Sequence, residues 1–415
     1  MPTPPYIPSL AARHEELVST LAKHVAIPTG HSHRPGLDEY RGLLAERLEK
    51  LGASIELRTG DPRPWWLDHS GRSREEIEAE SADPLPVLVA QRRTDRDSPR
   101  VMIAGHLDTV HDPKGSFREM TIDRGKKLAT GPGVVDMKGG VLIAIAALEA
   151  LAEAGIDLNW TVVLNSDEET GSFQSARILH DVAGEHDLGI AIEPALADGS
   201  LAVERMGSGQ CMIEVFGQSA HVGREFEKGI SAVTKLAEVL LMLSKMARSS
   251  EGRIVNAGPL KGGVVTNAVP DYAACWVNVR YRDPEAGEIL ARMIDELATR
   301  DDEMPRVVVH RQWNRPAKPK TDAVEAFAQG IRAAAESLGQ ELPFASTGGV
   351  CDGNIMQAAG LPTLDTLGVR GGNLHRPDEF IELASLVDRS QLFATVLSRI
   401  ATGELTVPAD ESVAQ

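Results

Sequence analysis

Cysteine is scarce in this 415-residue chain, with Cys211, Cys275 and Cys351 its only three. They stand far apart and outside any Cys-x-x-Cys pair, which argues against a disulfide framework and against a thiolate zinc site. They read instead as reduced thiols of a cytoplasmic protein. Cys351 lies in a glycine-rich stretch, but no nucleophile signature surrounds it. Basic residues are outnumbered, 43 against 60 acidic ones, for a formal charge of −17. Such a chain repels phosphate backbones, so no nucleic-acid partner is expected. No apolar run reaches bilayer-spanning length, and Met1–Leu10 lacks the basic and apolar regions of a secretory signal. No membrane partner is expected either. The glycine-rich run Gly131–Gly140 lacks both the dinucleotide fingerprint and the Gly-Lys-Ser/Thr ending of a phosphate loop, so nucleotide chemistry is not indicated.

What remains is an ordinary globular composition, 42% hydrophobic and 25% charged, in a chain long enough for two domains. Helical spacing of apolar residues marks 9–26 and 37–51, and the polar stretch Gly60–Pro84 reads as a long surface loop or short exposed helix. Within it, Trp65-Trp66 reads as a local anchor. From Leu85 onward, apolar strands (87–90, 101–104, 161–164, 188–192) alternate with helices (139–154 and near 173–181). That alternation implies a mixed, mostly parallel, doubly wound α/β sheet. Around Met206 the pattern changes to half-buried alternating strands (211–216, 273–280, 307–311) and two helices (229–247, 285–299). This describes an inserted α+β unit over 206–312, flanked by a first domain made of 1–205 and 313–415. The tail after Thr402 is polar and expected to fray.

Chemistry-bearing residues gather at strand ends. They occur in Gly105-His-Leu-Asp108, Gly131-Pro-Gly-Val-Val-Asp136, Asp167-Glu-Glu-Thr-Gly171, Ile192-Glu193-Pro194 and Asn373-Leu-His375. In open α/β sheets, ligands bind outside the carboxyl ends of the strands. Two histidines and three carboxylates suit a pair of divalent metals, and the spare Glu168 beside a ligand can act on water. His106 and Asp108, two apart on a strand, can point the same way, one ligating and the other fixing the ring tautomer. Adjacent Glu168 and Glu169 repel unless a cation or a proton relieves them. Taken singly, each segment is ordinary: a satisfied strand end, a tight turn, an exposed acidic pair. Most other histidines, His31 among them, carry no motif, and His111 reads as a loop residue near the site.

Taken together and in order, these segments and Gly217-Gln-Ser-Ala-His-Val-Gly223 resemble the two-metal amidohydrolases. That family includes glutamate carboxypeptidases, acetylornithine and succinyl-diaminopimelate deacylases, and aminoacylases. The resemblance runs from about residue 10 to 400 and implies two Zn²⁺ per subunit, with Co²⁺ or Mn²⁺ as possible substitutes. His106, Asp136 and Glu193 would bind one metal, and Asp136, Glu169 and His375 the other. Asp108 would orient His106, and Glu168 would be the general base. A cis peptide is expected after Asp136. The inserted unit would be a ferredoxin-like dimerisation lid whose His221 reaches the partner's active site, making a homodimer.

Asn267, Arg280 and Arg315 match substrate-binding positions of the carboxypeptidase branch, and Arg315 is the first choice to clamp a terminal carboxylate. Pro194–Ala202 lacks the basic residue that glutamate-specific relatives carry there, which weakens the case for glutamate. The leading reading is a zinc-dependent, glutamate carboxypeptidase-like hydrolase of a small peptide or N-acyl amino acid. An N-acyl amino acid deacylase is the runner-up, and a non-catalytic amino-acid or peptide binder a remote third.

Overall fold

The computed structural model describes residues 3–30, 33–95 and 98–408. His31 and the last part of the polar tail lie outside them. The main sheet has six strands in the order Ser54–Thr59, Pro86–Arg92, Asn159–Asn165, Arg100–His106, Leu188–Ala191, Thr363–Leu364. The last four run parallel, and the first two add an antiparallel edge. The inner strands are near-continuous apolar runs because helices cover both faces. Their alternation divides the core: Leu88, Ala90, Val101 and Ile103 face the helices Gly139–Glu153 and Ser385–Ala401. Val87, Val89, Met102 and Ala104 face Ala176–Ala183 and Asp352–Ala358.

The sequence pattern did not show Ser54–Thr59, because an edge strand with mostly exposed side chains lacks the apolar signature. The Gly60–Pro84 excursion holds a short 3₁₀ turn, Trp65–Leu67, and the helix Arg74–Ser81. That helix starts where Ser73 and Glu76 exchange side-chain and backbone hydrogen bonds in a capping box. Trp66 is an anchor: it is buried with Leu67 and Phe173 against Met212 and Ala274. Its carbonyl accepts a 2.7 Å bond from Trp276 Nε1, tying this excursion to the inserted unit.

The inserted unit is an antiparallel sheet ordered Arg253–Gly262, Tyr272–Tyr281, Gly207–Phe216, Arg306–Arg315. The helices Ala232–Met246 and Pro284–Asp295 share a separate apolar core with it. Its last strand continues past residue 312, so Arg315 is still strand. Arg253–Gly262 escaped sequence reading because it is a mostly exposed edge strand, irregular between Ala257 and Leu260.

A small four-stranded sheet decides the geometry of the site. It pairs Phe380–Glu382 with Leu128–Thr130, with Phe380 opposite Thr130. This pairing carries the loop bearing His375 next to the loop bearing Asp136. The start of the tail is not frayed: Leu405 is buried in the main core.

Candidate metal centre

His106 ends a central strand, and its ring is fixed from one side. Nδ1 lies 2.9 Å from the main-chain oxygen of Asp108, with the Asp108 carboxylate at 3.4 Å. Nδ1–H therefore points at the carbonyl, leaving Nε2 free as a ligand atom. That Nε2 lies 3.2 Å from Asp136 Oδ1. Asp136 occupies the turn that follows Gly133, which takes a left-handed φ of 71° suited to glycine. The Asp136–Met137 peptide is cis. On the other side of Asp136, His375 Nε2 lies 3.5 Å from Oδ2 and 3.2 Å from Glu169 Oε2.

Two clusters of ligand atoms result, each within 4.8 Å: His106, Asp136 and Glu193, and Asp136, Glu169 and His375. Asp136 belongs to both. Among the sequence-derived candidates, the five proposed ligands and Glu168 thus come together at the ends of the parallel strands. Asp108 holds them from below, its carboxylate accepting from the backbone N–H groups of Glu168 (3.3 Å) and Glu169 (3.0 Å).

The electrostatics call for a cation. Burial pushes the Glu193 carboxyl well above its usual range, and the nearby Glu168 carboxylate adds to the effect. Burial also raises Glu169, whose Oε1 is buried without a hydrogen-bond partner among the described residues. Asp136 is buried too, yet hydrogen bonds from His106 and His375 hold it below the ordinary carboxylate range. His106 rises well above its ordinary value because its bonds to Asp108 and Asp136 outweigh its burial. His375 rises to about 10, driven by its bonds to Asp136 and Glu169. The imidazoles thus gather positive charge among crowded carboxylates, as divalent ions would. An orphaned carboxylate oxygen and a His₂/carboxylate₃ donor set fit two such ions.

Asp136, Glu169, Glu193 and His375 line a cavity of about 470 Å³ with Arg205, Arg280, Arg315 and Cys351. Glu168 is buried in its wall, its carboxyl pushed up to about 8 chiefly by burial. Arg315 does not face the cavity as a free clamp. One nitrogen, Nη2, donates to Glu168 Oε1 (2.6 Å), Glu168 O (2.8 Å) and Ser172 Oγ (2.8 Å). The buried Asp352 carboxylate lies 3.6 Å from the same nitrogen. Arg205 and Arg315 each leave only Nε buried and unbonded, whereas Arg280 has no side-chain hydrogen bond or ion pair among the described residues and its buried terminal Nη1 is free. Cys351 is no thiolate, since burial pushes its thiol well above its ordinary value.

Pro194–Ala202 brings no basic residue to the cavity; Arg205 lines it nearby, but its Nη2 is spent on Asp365 at 2.7 Å. His221 and Asn267 are not brought to this cavity. Both are exposed on the inserted unit, side by side, where Val222 N donates to Asn267 O at 3.1 Å. Sequence reasoning missed Asp352 and Glu379.

Fold and site together define a metal-dependent hydrolase of amide bonds. The chain belongs to peptidase family M20/M25/M40, whose model matches residues 102–399. Carboxypeptidase G2 of Pseudomonas sp. (strain RS-16) is 25% identical over 403 residues, covering 94% of this chain and 90% of that one. A succinyl-diaminopimelate desuccinylase of Erythrobacter litoralis (strain HTCC2594) is 25% identical over 336 residues, covering 76% and 85%. A tripeptidase from Staphylococcus aureus has the same fold, with a TM-score of 0.74 at 21% identity over 94% of this chain and 99% of that one. A metallo-carboxypeptidase from Sulfolobus solfataricus superposes with a TM-score of 0.69 at 15% identity, covering 93% and 99%.

Proposed function

We propose that this chain is a di-zinc hydrolase that releases an amino acid with a free carboxylate from a small peptide or N-acyl amino acid. The carrying observation is the pair of ligand clusters sharing Asp136 in a cavity that also holds Glu168 and the unpartnered Arg280. Two divalent ions held by His106, Asp136 and Glu193 and by Asp136, Glu169 and His375 would supply Lewis acidity toward the amide carbonyl. Glu168 takes the proton from the water that attacks the amide carbon and returns it to the departing nitrogen. Arg315 holds the base in place and is itself held by Ser172 Oγ, backed by Asp352, whose carboxylate accepts from Ser172 Oγ at 2.5 Å and Asn165 Nδ2 at 2.7 Å.

Arg280 replaces Arg315 as our choice for the α-carboxylate clamp, because Arg315 Nη2 is given to Glu168 and Ser172 while the terminal Nη1 of Arg280 is buried and open to an anionic ligand. His221 and Asn267, exposed on residues 206–312, are suited to complete the site of a second subunit in a homodimer. Exposed Leu241, Met242, Ile254 and Leu260 on the same unit are suited to bury against that subunit. The three cysteines are free and buried. Such thiols suit a reducing compartment, and we place the protein in the cytoplasm. Among the described residues no helix is long and apolar enough to cross a membrane.

Glutamate carboxypeptidase-like specificity ranks first; the name of the Pseudomonas relative supports the carboxypeptidase part of that reading. A deacylase acting on acetylornithine or succinyl-diaminopimelate would use the same ligands and base. The test is amine release from a panel of N-acyl amino acids and dipeptides by chelated protein, before and after zinc is restored. Cleavage restored by zinc, with Arg280→Met impairing free-acid substrates far more than their amides, supports the reading. Equal impairment of both, or turnover indifferent to chelation, overturns it.

A further inference from the structure

We propose that Glu379 is the positioning residue that locks the two metal half-sites to each other, so that both ions depend on one carboxylate that ligates neither. This rests on the di-metal reading above. Glu379 is 1% exposed, and its side chain is surrounded by N–H donors. Oε1 accepts from the backbone of Val135 at 2.9 Å and of Asp136 at 3.1 Å. Oε2 accepts from the backbone of Gly133 at 3.2 Å and faces His111 Nε2 at 2.6 Å. Three backbone N–H groups of one tight turn make a cradle for an anion, and Glu379 fills it with a side chain.

The consequence follows from where these donors sit. The turn 133–136 delivers Asp136, the one carboxylate common to both clusters. Glu379 itself lies four residues after His375. Its backbone N–H donates to Arg376 O and its carbonyl accepts from Gly131 N, both at 3.1 Å, closing the His375 loop onto the Asp136 loop. His111 follows the segment that ends the His106 strand, with the ring of Phe117 packed edge-on at 5.0 Å. One buried carboxylate therefore fastens three of the ligand-bearing segments. Asp108 fastens the Glu168-Glu169 segment in the same way from the other side.

Groups that hold metal ligands in place cost about 10–100-fold in affinity when changed. Glu379→Gln keeps the size and one acceptor toward Val135 and Asp136, but sets an NH₂ group against the Gly133 N–H and His111. The experiment is competition of the purified protein with a chromophoric chelator for Zn²⁺, resolving both equivalents, at a temperature well below the melting midpoint. Metal content by mass spectrometry and the melting midpoint are recorded alongside.

The expected result is that Glu379→Gln weakens both equivalents by about 10–100-fold. His111→Phe, which removes a single contact from outside the turn, should weaken both by less. It keeps the idea testable if the glutamine variant does not fold. A variant with a lower melting midpoint but wild-type affinity at both equivalents overturns the proposal, as does weakening confined to one equivalent. A wild-type protein that binds fewer than two ions would sink the di-metal reading instead.

Discussion

Arg315→Met separates a carboxylate clamp from a residue that holds the base. The guanidinium is buried, and Nη2 alone makes three hydrogen bonds, two of them to Glu168. Methionine matches much of the stem but leaves Glu168 and Asp352 facing each other without their common cation. Breaking a buried ion pair by removing one partner costs about 3–5 kcal/mol of stability. A base displaced by about 1 Å loses about 100-fold in turnover. The assay is kcat/KM for matched substrates, one with a free C-terminal carboxylate and one amidated, on protein shown to be folded and metal-loaded. The expected loss is about 100-fold for both substrates, carried by kcat. Arg315→Lys should recover little, because a single ammonium cannot reproduce the fork. If the loss falls on the free acid alone, with the amide cleaved as by the wild type, Arg315 is a clamp and the hydrogen bonds to Glu168 are incidental.

Glu168→Gln should keep both metals while turnover falls by about 100- to 10,000-fold, the usual worth of a general base. Equal loss of metal would show that base and ligand have been exchanged. His24 is buried against Tyr40, and burial lowers its pKa to about 3. The unfolded chain takes up a proton below pH 6.5 that the folded chain refuses until about pH 3. Stability should therefore fall with falling pH through that window, by up to about 1.4 kcal/mol per unit. Denaturant titrations of His24→Gln should show a shallower fall across the same range; identical slopes would remove His24 as the cause. Leu241→Glu combined with Met242→Glu places charges on an exposed apolar patch. Light scattering should report a monomer with little change in melting midpoint, and an unaltered dimer would move the interface elsewhere.

Much of the fold and the metal cluster was legible because local signals carried both. The parallel strands are buried on both faces and so appear as unbroken apolar runs, with His106 and Glu193 at or just past their ends. Asp136 announces itself by the glycines that let its turn bend. What was not legible depends on pairings between distant segments. Phe380 opposite Thr130 cannot be read from either stretch, yet it brings Glu379 under the Asp136 turn. Arg315 sits in a motif that suits a substrate clamp, and only the folded chain shows Nη2 given to Glu168 and Ser172. The edge strands Ser54–Thr59 and Arg253–Gly262 expose too many side chains to signal their presence. His221 and Asn267 lie exposed on the inserted unit, outside the lining of their own chain's cavity, a placement that their local motifs do not reveal.

The most direct test of the shared-carboxylate centre is calorimetric titration of Zn²⁺ into chelated wild-type protein and into Asp136→Asn, with amide-hydrolase activity read at each addition. The expected result is two equivalents in the wild type, with activity rising as they fill, and loss of affinity at both in the variant. An Asp136→Asn protein that still holds one ion with wild-type affinity, or a wild type that saturates at one, would contradict a centre built on Asp136 as the common ligand.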